Sequence, residues 1–181
     1  MSRIAIPTLD MSPADSRPVL DAVNQQLGSV PNLFRLLGNS PAALKAYTSA
    51  NGALTKALDV KTRERIALAV AQVNGCGYCL AAHTYLATNL AKLPPEEIAR
   101  NRAGGSTDAK ADAAVRFAAK VTAERGKVSD ADLAAVRNAG FSDAQVVEIV
   151  ALVAENVFTN FLNEVAQTDV DFPVVDVAQA A

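Results

Sequence analysis

The segment ERIALAVAQVNGCGYCLAAH, residues 64–83, is the most informative part of the chain. Its first half places apolar side chains at helical spacing, and Asn74-Gly75 is a typical helix stop signal. The chain then resumes at Cys76, so the segment predicts a helix, a tight turn and a second helix. Both cysteines of the protein, Cys76 and Cys79, are expected in the first turn of that second helix.

The same segment holds the only histidine of the protein and a glutamate that can reach it. Cys76, Cys79 and His83 are spaced i, i+3 and i+7, which places them on one face of a helix. A helix N-terminus stabilises a thiolate, and His83 can take the thiol proton. Because the two helices are antiparallel, Glu64 is expected beside His83, where a carboxylate fixes and charges the imidazole. The pattern predicts a proton relay from Glu64 through His83 to a thiol.

The pattern Glu-(x)11-Cys-x-x-Cys-(x)3-His, with Tyr78-Cys79-Leu80 inside it, resembles the signature of the alkylhydroperoxidase D-like proteins. These belong to the carboxymuconolactone decarboxylase superfamily. The resemblance is strong over roughly residues 40–100, while the Val170–Val175 tail weakly resembles that of the peroxidase-related branch. It implies an all-helical, oligomeric protein, a trimer or a hexamer.

The resemblance also implies a function for each residue of the motif. Cys79 would attack a hydroperoxide, Cys76 would resolve the product as a disulfide, and Glu64 and His83 would relay protons. A dithiol protein, either a lipoyl-type carrier or another thiol system, would reduce the disulfide, with no bound cofactor. Relatives carry a histidine where this chain has Tyr78, and a phenol does not titrate near neutral pH. The relay is therefore expected to be shorter than in those relatives.

The residues of the motif also allow other uses of the cysteine pair. Zinc could take both thiolates, His83 and Glu64, but structural zinc usually draws on two separated pairs of ligands. A thioredoxin-like site needs strands around the motif, and no alternating pattern occurs there. A thiol redox sensor, or a redox-controlled oligomer, remains open, as does a lactone decarboxylase-like enzyme that works without a redox dithiol.

Composition and patterning predict a single-domain, all-α helical bundle. The 181 residues are 50% hydrophobic with a net charge of −2, which gives no electrostatic case for nucleic acid or an anionic membrane. The N-terminus lacks a signal-peptide pattern, so we expect a cytoplasmic protein. The Ala-rich helices and the apolar tail predict a homo-oligomer, in which some helix faces are buried between subunits. We predict an N-terminal arm (1–15), a helical domain (16–168) and a C-terminal arm (169–181) that docks on a neighbouring subunit.

Helix start and stop signals divide the predicted domain further. They predict helices over 16–27, 41–58, 59–73, 76 to about 93, 94–102, 109–125, 129–138 and 142–167, with a short helical turn after Pro31. On the last of these, the polar side chains could line the cysteine site, although solvation is the expected role of such positions. They are Asn156, Asn160, Asn163 and Glu164.

Overall fold

A computed structural model describes residues 2–177, and these form nine α-helices, one short 3-10 helix and no strand. This confirms the predicted all-α fold class. The 3-10 helix is Ala14–Ser16, and the α-helices are Arg17–Leu27 (α1), Asn32–Leu37 (α2), Pro41–Leu54 (α3), Val60–Val73 (α4), Gly77–Asn89 (α5), Pro95–Arg102 (α6), Ala109–Ala123 (α7), Asp130–Asn138 (α8) and Asp143–Ala166 (α9).

Side chains supply the caps that the sequence predicts at most helix starts. Ser40, Asp59 and Asp108 each accept a hydrogen bond from the amide three residues further on. Ser129 and Ser142 form capping boxes with Asp132 and Gln145. These local bonds explain why the helix starts could be predicted to within about one residue.

α4 is the central helix, packed against α5, α6, α7 and α9. From Ile66 to Ala71 every side chain of α4 is buried. One core cluster joins α4 to α7, α8 and α9, and a second surrounds the cysteine pair with residues of α1, α2 and α3. α4 therefore links the main hydrophobic core to the cysteine site.

The predicted end of α3 at residue 58 is wrong, because α3 ends at Leu54. The backbone carbonyls of Thr55 and Leu58 instead accept hydrogen bonds from the guanidinium of Arg63, on the following helix. Leu58 turns into the main core. The loop after α3 is therefore held by a side chain of α4.

Both terminal segments lie against the helical body over the described residues. The Arg35 side chain donates to the carbonyls of Ile6 and Pro7, and the Arg3 amide donates to Ala166. The tail from 169 to 177 packs on its own chain, beside α2 and α5, and its docking on a neighbouring subunit stays a prediction. Residues 1 and 178–181 of the predicted arms lie outside the described residues.

By length and composition alone, α9 is the one helix of the described chain that could span a membrane. It packs against α4, α7 and α3, and Ile149, Leu152 and Val153 are buried in the core cluster. Such burial is typical of a core helix.

Candidate active site

The turn between α4 and α5 places the two thiols. Gly75 adopts a left-handed φ of 67°, its amide donates to Gln72, and the Cys76 amide donates to Ala71. These bonds form a Schellman motif, which satisfies the last carbonyls of α4. Cys76 is at the same time the N-cap of α5, where its sulfur accepts from the Cys79 amide at 3.4 Å. One residue therefore ends one helix and begins the next.

The structure brings Glu64 and His83 together across the two antiparallel helices. His83 Nδ1 lies 2.9 Å from Glu64 Oε2, and the two side chains are 21% and 10% exposed. Burial alone would lower the pKa of His83, but the charge and hydrogen bond of Glu64 outweigh burial, so the net effect raises this pKa. The imidazole is therefore held closer to its charged form than an isolated histidine.

The groups around Cys79 favour its ionised form, the thiolate. Its hydrogen bond with Cys76 is the largest cause that lowers its pKa, to about 6, against the opposing effect of burial. The charge of His83 and the amides of Asn163 and Asn160 lower the pKa further. The pKa of Cys76 is raised instead, by the same hydrogen bond and by burial. The two thiols therefore differ, because Cys79 is favoured as a thiolate and Cys76 as a neutral thiol.

Two asparagines of α9 reach this site, which corrects the expectation that they are solvated. Asn163 Nδ2 donates to Cys79 Sγ at 3.3 Å, and Asn160 Oδ1 accepts from Asn74 Nδ2 at 2.8 Å. Asn156, Asn160 and Asn163 are all buried, whereas Glu164 is exposed. Their spacing on one face of an apolar helix is the sequence signal that pointed to them.

A phenol and a second carboxylate lie near the relay, and the sequence did not identify either as part of the site. The Tyr47 ring packs between Phe34 and Phe158, at centroid distances of 5.7 and 6.5 Å. Its pKa is raised by burial and then by the charges of Glu155, Cys79 and Glu64, so the phenol stays protonated. Burial also raises the pKa of Glu155, whose Oε1 has no hydrogen-bond partner among the described residues.

The Tyr78 side chain is hydrogen-bonded to the C-terminal tail and to α2. Its hydroxyl donates to Asp171 Oδ1 at 2.8 Å and accepts from the Leu33 amide at 3.1 Å. Asp171 Oδ2 also accepts from the Asn32 amide at 2.7 Å, and Phe172 packs edge-on against the Tyr78 ring at 5.8 Å. Tyr78 thus ties α5 to α2 and to the C-terminal tail.

The thiols are enclosed, since Cys76 and Cys79 are 0% and 2% exposed. A polar cavity of about 440 Å³ lies at the starts of α4 and α7, and one of about 320 Å³ lies between α5 and α6. Neither is lined by a cysteine or by His83. Over residues 2–177, no group of three or more histidine, cysteine, aspartate or glutamate side chains is arranged to hold a metal ion.

Comparisons with known proteins agree with this fold. The carboxymuconolactone decarboxylase family matches residues 41–124. A protein from Ralstonia eutropha JMP134, described as an alkylhydroperoxidase AhpD core and an uncharacterized peroxidase-related protein, has a TM-score of 0.84 and 27% identity, covering 94% of this chain and 92% of its own. A peroxidase-related protein from Silicibacter sp. TM1040 has a TM-score of 0.80 and 24% identity, covering 93% and 91%. The debrominase Bmp8 has a TM-score of 0.74 and 19% identity, covering 87% of each chain. A search among curated proteins gives no significant match.

The fold is that of the alkylhydroperoxidase-type helical proteins. The comparisons confirm that the chain resembles the alkylhydroperoxidase D-like proteins of the carboxymuconolactone decarboxylase superfamily, as the sequence predicted. Two of the similar structures are described as peroxidase-related and one as a debrominase.

Proposed function

We propose that the protein is a thiol-dependent peroxidase that reduces hydroperoxides through a Cys76–Cys79 dithiol cycle, with Glu64 and His83 as the proton relay. The observation that carries the proposal is the 2.9 Å contact between Glu64 and His83, next to a buried Cys79. The helix N-terminus, Cys76, His83 and two amides all favour a thiolate at that sulfur.

In this proposal, the Cys79 thiolate attacks the distal oxygen of the hydroperoxide. The O–O bond breaks, sulfur takes the hydroxyl group to give a sulfenic acid, and the leaving oxygen takes a proton from His83 to leave as an alcohol or water. The Cys76 thiol then condenses with the sulfenic acid, which forms the disulfide and releases water. When an external dithiol reduces the disulfide, Cys79 returns to the thiolate by giving its proton to His83, and the Glu64 carboxylate stabilises the charged imidazole for the next cycle.

An external dithiol must reduce the disulfide, and we propose a lipoyl-type carrier or another thiol protein in the cytoplasm. The proposed thiol cycle needs no bound metal or cofactor. We also propose a homo-oligomer, because one face of α9 exposes apolar side chains at helical spacing. They are Val147, Val150, Phe158, Phe161 and Val165.

The burial of the thiols favours a second candidate, a redox sensor that forms the disulfide once and turns over little. Because Cys79 is only 2% exposed, a peroxide reaches the sulfur only when side chains around the site move. A sensor would use the same oxidation chemistry but would change its assembly on oxidation.

The test is consumption of an organic hydroperoxide with dihydrolipoamide as the electron donor. We expect catalytic turnover in the wild type, no turnover in Cys79→Ser, and one stoichiometric oxidation in Cys76→Ser. Loss of two thiols per chain without turnover, with a changed oligomer size on oxidation, would favour the sensor. Sustained turnover in Cys79→Ser would refute the assignment of the nucleophile. Consumption of a lactone without thiol oxidation would indicate a decarboxylase-like enzyme instead.

A further inference from the structure

Three asparagines of α9 have similar burial but different partners. Asn156, Asn160 and Asn163 are 5%, 0% and 2% exposed. Asn156 Nδ2 donates to the carbonyl of Leu152 in its own helix at 2.8 Å. Asn163 Nδ2 donates to Cys79 Sγ. Asn160 is different again, because Asn74 holds its oxygen while its Nδ2 has no partner among the described residues.

An amide donor that is buried without a partner costs about 1–3 kcal/mol. An aliphatic side chain at position 160 would avoid that cost. Asn160 lies one helical turn from Asn163 and on the same face, so both amides are directed to the Cys79 side of the helix. Because Asn163 on that face donates to Cys79 Sγ, the Asn160 side chain lies on the side of α9 that faces this sulfur. These facts indicate that its donor gains a partner in another chemical state of Cys79.

We propose that Asn163 and Asn160 form a pair of donors for two successive states of Cys79: Asn163 holds the thiolate, and Asn160 binds the oxygen that the sulfur receives. This inference rests on the proposed peroxidase function and adds two residues to it.

The chemistry provides the missing partner of Asn160 at one stage only. When the O–O bond of the hydroperoxide breaks and an S–O bond forms, sulfur is oxidised by two electrons and the peroxide is reduced to the alcohol. The new sulfenic oxygen is an acceptor beside Asn160 Nδ2. When Cys76 attacks the sulfur, the S–O bond breaks, water leaves and the amide loses its partner again. A fixed donor whose acceptor develops during the reaction lowers the barrier to that step.

The test uses leucine, which is similar in size to asparagine but has no polar atom, at each position in the full-length reduced protein. The first readout is the pH dependence of alkylation by iodoacetamide, which follows the thiolate. We expect Asn163→Leu to alkylate about tenfold more slowly near pH 6, as expected for loss of one hydrogen bond to a charged group. Asn156→Leu, the matched control, is expected to behave as the wild type.

The second readout is the rate constant of thiol loss with cumene hydroperoxide, divided by that of alkylation at the same pH. This ratio cancels any change in the thiolate fraction. We expect Asn160→Leu to lower the ratio about five- to tenfold and Asn156→Leu to leave it unchanged. Asn160→Ala and Asn163→Ala remove the donors without added bulk, and serve if a leucine variant does not fold.

Either arm can overturn the inference. An alkylation profile of Asn163→Leu equal to that of Asn156→Leu would exclude the thiolate contact. An unchanged ratio in Asn160→Leu would exclude the sulfenic oxygen contact. If the wild type shows no thiol loss with hydroperoxide, the proposed function fails and the Asn160 contact fails with it, while alkylation still decides the role of Asn163.

Discussion

The replacement Glu64→Gln tests the proton relay at its strongest contact. The amide keeps the size of the carboxylate and an oxygen acceptor, but it removes the charge 2.9 Å from His83 Nδ1. A hydrogen bond to a charged group contributes about 1.5–3 kcal/mol, and 1.36 kcal/mol corresponds to one pKa unit. We therefore expect the pKa of His83 to fall by about 1–2 units. Burial then acts with less opposition and favours the neutral ring.

The protein has a single histidine, so a proton NMR titration of the imidazole reports on His83 without ambiguity. The charge of Glu155 also raises the pKa of His83, but by less than the charge of Glu64 does. Glu155→Gln should therefore lower the pKa of His83 by less than Glu64→Gln. Glu96→Gln, on the exposed side of α6, is the matched control and should leave the pKa unchanged. A pKa of His83 that does not fall in Glu64→Gln would refute the relay geometry and the reasoning behind it.

Two further predictions concern the turn and the tail. Gly75→Ala should destabilise the fold by about 1–2 kcal/mol in chemical denaturation, because a Cβ is unfavourable at a φ of 67° although nothing lies within 4 Å of it. Gly52→Ala, inside α3 with equal space around it, should be neutral or stabilising; equal losses in both variants would contradict this account. Tyr78→Phe should cost about 1–3 kcal/mol and speed hydrogen exchange around Asp171, because the buried α2 amide and the carboxylate lose their shared partner. Tyr85→Phe, on the exposed ring that also contacts the tail, is its control, and equal exchange in the two variants would show that the hydroxyl does not hold the tail.

Much of the fold could be predicted because its signals are local. The caps at Ser40, Asp59 and Ser142 and the stop at Gly75 lie within a few residues of the helix ends they determine. No comparable signal marks the end of α3, and the loop that follows it is held by the Arg63 side chain of α4.

The same distinction applies to the site. Glu64, Cys76, Cys79 and His83 lie in two consecutive helices, so their spacing and one tight turn were enough to bring them together. Asn163 lies 84 residues beyond Cys79, and only the packing of α9 against α5 joins them.

The tail shows a similar limit. Its alternating apolar residues indicated an extended arm, but no local pattern predicts that Asp171 pairs with Tyr78 of the same chain. That pairing gives the phenol a structural position between α2 and the tail.

The central claim is that peroxide converts the two thiols of one chain into a disulfide through Cys79. The most direct measurement is mass spectrometry of the reduced protein after one equivalent of cumene hydroperoxide, with peptide mapping of residues 76–79. The account predicts an intramolecular Cys76–Cys79 disulfide in the wild type and a sulfenic acid on Cys79 in Cys76→Ser. Two intact thiols after peroxide, or oxidation that occurs first on Cys76, would contradict it.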